Sequence, residues 1–205
     1  MILSPNIFKY LSLTILVLIN DLEIYTCSLV SIQTECLIHS SAYKFEYLYT
    51  TKEHDSASSE KRNVYTYPLG DVDDFDKIRW KFIPVNGSNS SFYIRSQEYK
   101  EYLCAANSYK DLFKMRRKLH TIKIGDRTEL SESFQCEWIF EKVPTRTSNN
   151  TYFIWNVMYE EPLYAISYFY KNHKLKRNVY LWHKKPNSKQ FKWQVDCLSG
   201  EFLFY

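Results

Sequence analysis

Residues with reactive side chains are present, but their spacing matches no common catalytic or metal-binding motif. The five histidines are scattered, at positions 39, 54, 120, 173 and 183, and none belongs to a His-x3-His pair or stands beside a Cys-x2-Cys pair. The ligand spacing of a structural zinc site is therefore missing. No Gly-x-Ser-x-Gly elbow and no P-loop occurs either. We expect no enzyme activity, no catalytic residue, no metal and no cofactor.

An acidic run at residues 71–76 (DVDDFD) has some of the carboxylates of a calcium loop. A calcium-binding EF-hand loop needs a glycine at its sixth position and a bidentate glutamate at its twelfth. Here the twelfth position from Asp71 is Phe82, and the glycine is missing. We interpret the run as a solvated acidic loop.

Basic side chains offer the clearest functional chemistry. Residues 152–197 contain eight lysines and arginines against three acids. From these we take as polyanion-binding candidates Lys171, Lys174, Lys176, Arg177, Lys184, Lys185 and Lys189. A second basic cluster comprises Lys114, Arg116, Arg117 and Lys118. A one-sided positive field attracts sulfated glycans, anionic membrane surfaces or nucleic acid.

The composition indicates which elements must position these side chains. A chain of 205 residues with 45% apolar and 18% aromatic residues can build one packed core, which argues against disorder, a fibrous repeat and a multi-span membrane protein. The 18 tyrosines and 13 phenylalanines favour strands over helices. Only 4 glycines are present, so glycine-rich phosphate loops are hard to build.

Internal repetition is the strongest pattern in the sequence. A leucine and an apolar residue behind a basic pair recur in three segments at a spacing of 16 residues. The leucines are Leu48, Leu103 and Leu163, and the later segments are 61–65 (KRNVY), 116–120 (RRKLH) and 176–180 (KRNVY). Each segment then closes on a tryptophan, and these are Trp80, Trp138 and Trp193. The repeats span approximately residues 36–83, 91–141 and 151–198, and we expect the three tryptophans to form a shared core.

Each repeat contains four strand-like pieces, which predicts twelve strands in an all-β domain. In the third repeat they are 152–156, 163–168, 179–183 and 192–197. Arg62, Arg117 and Arg177 occupy the same position in the three repeats. These arginines can therefore be interpreted in two ways, as part of a polyanion-binding surface or as structural support for a hairpin. Trp155 and Trp182 break the threefold pattern and are candidates for a binding aromatic or for packing at the rim.

Residues 1–28 are expected to be a secretory signal peptide rather than part of the domain, which then spans 29–205. Their apolar run, residues 10–19, is too short for a bilayer span of about 20 residues. Thr26 and Ser28 are small residues in the positions before a cleavage after Ser28. Removal of this segment takes away one lysine and two acids and raises the net charge from +4 to +5. A short anchor or a buried N-terminal strand is the alternative.

The mature chain would carry four cysteines, Cys36, Cys104, Cys136 and Cys197, an even number that indicates two disulfides with three possible connectivities. Asn86, Asn89 and Asn149 begin N-glycosylation sequons. Both features fit a secreted, extracellular glycoprotein. Secretion makes nucleic acid the least favoured polyanion.

Three four-stranded units with these motifs resemble the β-trefoil, the fold of ricin-type lectin domains, fibroblast growth factors and plant Kunitz inhibitors. Segments 99–106 (YKEYLCAA) and 176–182 (KRNVYLW), followed by Trp193, are also similar to small secreted β-trefoil-like proteins of blood-feeding insects, including mosquito salivary proteins. The resemblance implies a six-stranded barrel capped by three hairpins around a pseudo-threefold axis. Because the first and last strands of a trefoil are neighbours, it also implies the disulfides Cys36–Cys197 and Cys104–Cys136.

The sequence departs from the lectin pattern at one motif. Ricin-type repeats end in Gln-x-Trp, whereas Gln135 and Gln190 stand three residues before their tryptophans. Sugar binding in the lectin manner is therefore not expected. We expect a monomeric, non-enzymatic protein without a membrane span that recognises an extracellular macromolecule, either a sulfated glycan or a protein. The alternative is a Kunitz-type inhibitor of an extracellular protease, which would present residues 71–77 or the segment 145–150 with Arg146.

Overall fold

The structure is a computed structural model that describes residues 35–56, 58–88, 90–109, 115–125, 134–144, 150–169, 175–184 and 186–197. The expectation of an all-β fold is confirmed, and no α-helix occurs in these ranges. The strands, numbered in chain order, are β1 (Glu35–Ser40), β2 (Glu46–Asp55), β3 (Ser58–Pro68), β4 (Arg79–Pro84), β5 (Ser91–Ser96), β6 (Tyr102–Tyr109), β7 (Arg116–Ile122), β8 (Glu137–Lys142), β9 (Thr151–Asn156), β10 (Glu161–Phe169), β11 (Arg177–Trp182) and β12 (Lys192–Cys197).

Six of the strands pair antiparallel in a closed ring, in the order β1, β4, β5, β8, β9, β12 and back to β1. The other six form the hairpins β2–β3, β6–β7 and β10–β11. The second strands of these hairpins also pair with one another, as β3–β7, β7–β11 and β11–β3. We call the three hairpins together the hairpin cap. Closure of the ring leaves no free sheet edge in it.

The core lies inside the ring and is centred on three tryptophans. Trp80, Trp138 and Trp193 are fully buried, as predicted, and belong to one apolar cluster. Each indole nitrogen donates to a main-chain carbonyl of the leucine that opens the hairpin before it, and the pairs are Trp80–Leu48 (3.0 Å), Trp138–Leu103 (2.9 Å) and Trp193–Leu163 (3.1 Å). A buried indole N–H needs such an acceptor, so the three hairpins are attached to the core in the same way.

All three hairpins carry the same irregularity. Between Thr50↔Val64 and His54↔Arg62, four residues of β2 advance while two residues of β3 do. The same shift follows Ala105 in β6 and Ala165 in β10. Such bulges leave main-chain groups without ladder partners. Arginine Nη1 atoms donate to the freed carbonyls, and the pairs are Arg62 to Lys52 (3.0 Å), Arg117 to Asn107 (2.8 Å) and Arg177 to Ser167 (2.6 Å).

The same arginines join each hairpin to the next one. Each forms an ion pair with the glutamate at the start of the following hairpin, and the pairs are Arg62–Glu101 (2.8 Å), Arg117–Glu161 (3.0 Å) and Arg177–Glu46 (2.8 Å). The third pair returns to the first hairpin, so the contacts form a closed cycle. Each guanidinium also lies over a tyrosine ring, and these rings are Tyr99, Tyr159 and Tyr43 in the same order.

The turn into each glutamate has an unusual backbone conformation. Phe45, Lys100 and Glu160 precede the three glutamates and have φ values of 64°, 56° and 50°. Non-glycine residues pay about 1 kcal/mol or more for this left-handed conformation. The same local strain is retained three times, each time directly before a glutamate of the ion-pair cycle.

Two disulfides staple the chain. Cys36 and Cys197 lie opposite each other on the first and last strands and close a separation of 161 residues. Cys104 and Cys136 join β6 to the turn before β8, a separation of 32 residues. These are the two pairs that the trefoil resemblance implies. In the chain-entropy treatment a disulfide that closes the longer loop contributes about 5 kcal/mol and the shorter about 4 kcal/mol.

The expected signal peptide, residues 1–28, lies outside the described residues. Among the residues that the structure does describe, no helix has the length and apolar character needed to cross a membrane.

The arginine–glutamate cycle predicts that replacing Arg117 destabilises the protein much more than replacing the adjacent Arg116. Arg117→Met removes the guanidinium that pairs with Glu161, whose side chain is only 2% exposed. We expect a loss of about 3–5 kcal/mol in the free energy of unfolding, since a buried carboxylate loses its guanidinium and keeps, among the described side chains, only the Tyr109 hydroxyl at 2.9 Å and His183 at 3.6 Å. Urea unfolding followed by tryptophan fluorescence measures it. Arg116→Met, whose side chain lies on the opposite face of β7, should lose less than about 1 kcal/mol.

The double variant Arg117→Met/Glu161→Gln distinguishes the ion pair from loss of packing. We expect it to recover part of the stability, since no buried charge remains. Equal losses for Arg117→Met and Arg116→Met would contradict the structural role given to the inner arginine.

Candidate functional site

The two residues of each basic pair point to opposite faces of the hairpin cap. Side chains alternate along a strand, so Arg117 and Leu119 of β7 face one side while Arg116 and Lys118 face the other. Leu119 belongs to the core cluster, which identifies the first side as the inner one. The second arginine of each pair is therefore used inside the fold, and the first basic residue lies on the outer face.

Lys61, Arg116 and Lys176 are these outward basic residues in the three repeats. The cross-strand pairs Asn63↔His120, Lys118↔Tyr180 and Asn178↔Tyr65 bring their strands together around one point. We call this outer side of the strands the cap face, and it comprises Lys61, Tyr65, Arg116, Lys118, His120, Lys176, Tyr180 and Trp182. Tyr65, His120 and Tyr180 at its centre are buried. Four of these eight side chains are cationic lysines or arginines.

Two carboxylates from the end of β2 reach the cap face. Asp55 accepts from Lys118 Nζ at 2.7 Å, and Glu53 accepts from Lys176 Nζ at 3.1 Å. The four lysine and arginine charges of the cap face outnumber these two carboxylates by two. Both ion pairs are partly buried: the Lys118 and Asp55 side chains are 33% and 14% exposed, and those of Lys176 and Glu53 are 11% and 53% exposed. A ligand anion would therefore compete with Asp55 for Lys118 and with Glu53 for Lys176.

Aromatic rings surround the cations at one edge of the cap face. The Arg116 guanidinium lies 5.5 Å from the centroid of the Tyr180 ring and 5.7 Å from that of Trp182, and its Nη1 donates to the Tyr168 hydroxyl at 3.1 Å. Lys184 Nζ lies 5.9 Å from the Trp182 ring centroid. Tyr164 packs edge-on against Trp182, with centroids 4.5 Å apart. We call these six residues the Trp182 cluster, which comprises Arg116, Tyr164, Tyr168, Tyr180, Trp182 and Lys184.

The polyanion candidates taken from the sequence do not all lie on this surface. Lys176 and Lys184 lie on or beside the cap face, whereas Arg177 is directed inward to Glu46, whose side chain is 8% exposed. Lys189 lies in a 3-10 turn before β12 and is exposed. Lys171, Lys174 and Lys185 lie outside the described residues. The contacts of Arg177 match the hairpin-support interpretation of the repeated arginine.

Sequence reasoning did not assign Lys61 or the tyrosines around Trp182 to a site. For Lys61 the signal was present in the repeats. A strand that begins with two basic residues directs one to each face, and the apolar residue two positions after the second identifies the inner face. For Tyr168 the sequence held no such signal, because its position follows the register shift between Ala165 and Phe169 in β10. Tyr164 lies before that shift, opposite Tyr180, and its alternation with the buried Leu163 was a usable signal.

The acidic segment is folded rather than extended. Short 3-10 helices cover Leu69–Asp71 and Phe75–Ile78, and Lys77 is buried. Lys77 donates to Asp73 at 2.8 Å, and this hydrogen bond lowers the pKa of the Asp73 carboxyl. Asp74, Asp76 and Glu98 form a carboxylate group close enough for a cation, but Arg79 binds Asp76. Arg146, in the other segment named for an inhibitor, lies outside the described residues, so the inhibitor alternative stays a prediction.

Asn86 is exposed in a turn where Gly87 has a φ of 80°. Asn89 and Asn149 lie outside the described residues, so glycosylation at the three sequons stays a prediction. Trp155, the other unrepeated tryptophan, is half-buried and donates to Glu141 at 2.7 Å.

No protein-family model matches the sequence, and no match was found among curated proteins. Solved structures do match, at sequence identities that show the fold alone. The yeast S. cerevisiae protein O-mannosyltransferase Pmt1–Pmt2 complex bound to the sugar donor has a TM-score of 0.63 at 11% identity, and the match covers 82% of this chain but 25% of that one. The designed three-fold symmetric protein ThreeFoil has a TM-score of 0.55 at 11% identity over 79% of this chain and 97% of its own.

Two further structures share the fold. A Culex quinquefasciatus salivary protein of the cysteine- and tryptophan-rich family has a TM-score of 0.54 at 17% identity, covering 82% of this chain and 94% of that one. The Polyporus squamosus lectin bound to a sialylated epitope has a TM-score of 0.58 at 13% identity, covering 81% of this chain and 49% of the lectin. The chain is thus similar in fold to salivary and lectin proteins.

His120 breaks the threefold pattern at the centre of the cap face. Its position in the other repeats is occupied by Tyr65 and Tyr180, and all three side chains are buried. Burial is the main cause that lowers the pKa of His120 to about 4; the nearby cations of Lys61 and Lys118 contribute in the same direction, and Asp55 opposes them. The ring is therefore neutral in the folded protein at pH 7.

The lowered pKa predicts acid destabilisation that the tyrosines do not share. In the unfolded chain histidine takes up its proton near pH 6.5, whereas the folded protein does so only near pH 4. The folded state should lose about 3 kcal/mol as the pH falls between these values, with no further loss below them. Urea unfolding at a series of pH values measures this.

His120→Tyr is the matched control, since it restores the residue of the other two repeats. Its stability should fall less than that of the natural protein over the same pH range. Parallel pH profiles for the two proteins would show that His120 does not control the acid response. If the tyrosine does not fit, His120→Gln removes the titration and serves the same purpose.

Proposed function

We propose that the fold is a β-trefoil with its three units at approximately residues 36–83, 91–141 and 151–198. Six ring strands, three hairpins with the same bulge and three equivalent tryptophan hydrogen bonds support this assignment. The cyclic arginine–glutamate pairs add a threefold relation between the units. Similarity to a designed three-fold symmetric protein points the same way.

We further propose that the protein is a secreted, monomeric, non-enzymatic binding protein whose residues 1–28 are a signal peptide and whose mature domain spans 29–205. Two disulfides in a small domain are typical of proteins that fold in an oxidising compartment. Similarity to salivary and lectin folds fits a protein that acts by surface recognition.

The ligand that we propose is a sulfated glycan bound across the cap face. The observation that carries this proposal is the outward direction of Lys61, Arg116 and Lys176, joined by Lys118 on the same face. Sulfate groups along a glycan match several separated cations better than one deep pocket would. Charge-assisted hydrogen bonds from lysine and arginine are the strong contacts that such anions make.

We expect heparin binding to depend on the cap-face lysines more than on lysines elsewhere in the domain. The triple variant Lys61→Gln/Lys118→Gln/Lys176→Gln removes three outward charges and should weaken binding about 10- to 100-fold, if each contact contributes about 0.5–1 kcal/mol. Biolayer interferometry with immobilised heparin at two salt concentrations measures the affinity and its salt dependence.

The control is the triple variant Lys81→Gln/Lys142→Gln/Lys192→Gln. It removes the same number of charges from β4, β8 and β12, which belong to the ring rather than the hairpin cap. We expect it to retain most of the affinity. Equal losses in the two triple variants would mean that net charge alone drives binding, and no heparin binding by the natural protein would refute the glycan proposal.

A further inference from the structure

The three junctions between hairpins differ in what faces the outward basic residue. Lys61 of β3 pairs with Ile122, an aliphatic residue. Arg116 of β7 pairs with Trp182 of β11. Lys176 lies 5.8 Å from the Tyr65 ring centroid, but Glu53 engages its ammonium. The second junction is therefore the place where a cation and a large half-buried indole lie side by side.

A second cation lies close to the same indole. Lys184 lies two residues after the end of β11, is exposed, and holds its Nζ 5.9 Å from the Trp182 ring centroid. The Arg116 guanidinium lies 5.7 Å from that centroid. Within the described part of the chain, no carboxylate forms an ion pair with Lys184. An anionic group that contacts the edge of the indole would meet both cations.

The aromatic surface is held in place by packing. Tyr164 contacts Trp182 edge-on at 4.5 Å and lies 4.7 Å from the buried Phe191 ring. Arg116 also donates a hydrogen bond to the hydroxyl of Tyr168, a residue that is 57% exposed. A site whose groups are held before binding loses less conformational entropy when a ligand arrives.

We propose that the Trp182 cluster is a subsite for one sulfated sugar ring of the glycan, with the apolar face of the ring against Trp182 and its sulfate bound by Arg116 and Lys184. This rests on the proposed glycan-binding function and specifies where one unit is recognised. An indole offers a flat apolar surface, which suits the C–H face of a pyranose, and the Nε1 atom of Trp182 is itself buried. The guanidinium offers paired donors that fit two sulfate oxygens.

This arrangement has a specificity consequence. The ring contact and the two cations act on different parts of the same sugar, so neither a neutral sugar nor inorganic sulfate satisfies the whole subsite. A sulfated disaccharide should bind better than its desulfated counterpart and better than sulfate alone. Discrimination of this kind is absent from a surface that attracts polyanions by net charge.

The test uses a heparin-derived sulfated disaccharide as the probe, titrated into the full mature chain by calorimetry. Trp182→Leu should weaken binding of this disaccharide about tenfold or more, and so should Arg116→Gln/Lys184→Gln. The matched control is Tyr67→Leu, because Tyr67 occupies the position of Trp182 in the first repeat and stacks on Tyr49. Circular dichroism and thermal melting establish that each variant is folded, and Trp182→Phe keeps an aromatic face if the leucine variant is not.

The outcomes separate the subsite from the general function. If Trp182→Leu binds the disaccharide as tightly as Tyr67→Leu and the natural protein do, the subsite is wrong. If the cap-face triple variant still loses heparin binding in that case, the glycan proposal stands. If the desulfated disaccharide or inorganic sulfate competes as well as the sulfated one, the double recognition is wrong. Preferential binding of single-stranded DNA or anionic vesicles over heparin would overturn both proposals.

Discussion

The fold depends on one arginine in each repeat, Arg62, Arg117 or Arg177, and each of these side chains makes three contacts. It donates to the carbonyl that a hairpin bulge leaves free, it pairs with the glutamate that opens the next hairpin, and it lies on a tyrosine ring. A buried ion pair adds little stability compared with an apolar pair of equal size, but removal of either partner is expensive. The cycle therefore selects one mutual arrangement of the hairpins, because any other leaves three charges and three carbonyls without partners.

This structural requirement also decides where other charges can go. Once Arg117 must face Glu161, the preceding Arg116 has to face outward, because neighbouring side chains in a strand alternate. The same holds for Lys61 before Arg62 and for Lys176 before Arg177. The cap face is thus partly a consequence of how the hairpins are joined. The functional step needed on this surface is only to keep a basic residue at a position that the fold already exposes.

The repeat spacing and the closing tryptophans predicted an all-β fold with a tryptophan core, because these residues meet in the centre and recur at constant separations. The glutamates of the cycle were also visible beside each leucine, at Glu46, Glu101 and Glu161, but a carboxylate's partner in another unit leaves no mark in the local pattern. For the site, counting charges along the third repeat grouped Lys176 with Arg177. The structure places these neighbours on opposite faces, so proximity in sequence was a poor measure of a shared surface.

The positions where the repeats differ are the ones available for function. A residue repeated three times, such as Trp80 or Arg62, is held by the demands of the core or the cycle, and changing it affects folding first. Three residues after the core residues Val64, Leu119 and Val179, by contrast, the repeats differ. They carry Tyr67, Ile122 and Trp182 there, and the fold accepts all three side chains. Selection for a ligand can act on one such position without disturbing its equivalents. Trp182 and Lys184 are both absent from the other repeats, which carry Leu69 and Ile124 at the position of Lys184. This asymmetry beside the repeated basic position of Arg116 is therefore a stronger argument for recognition than the number of positive charges around it.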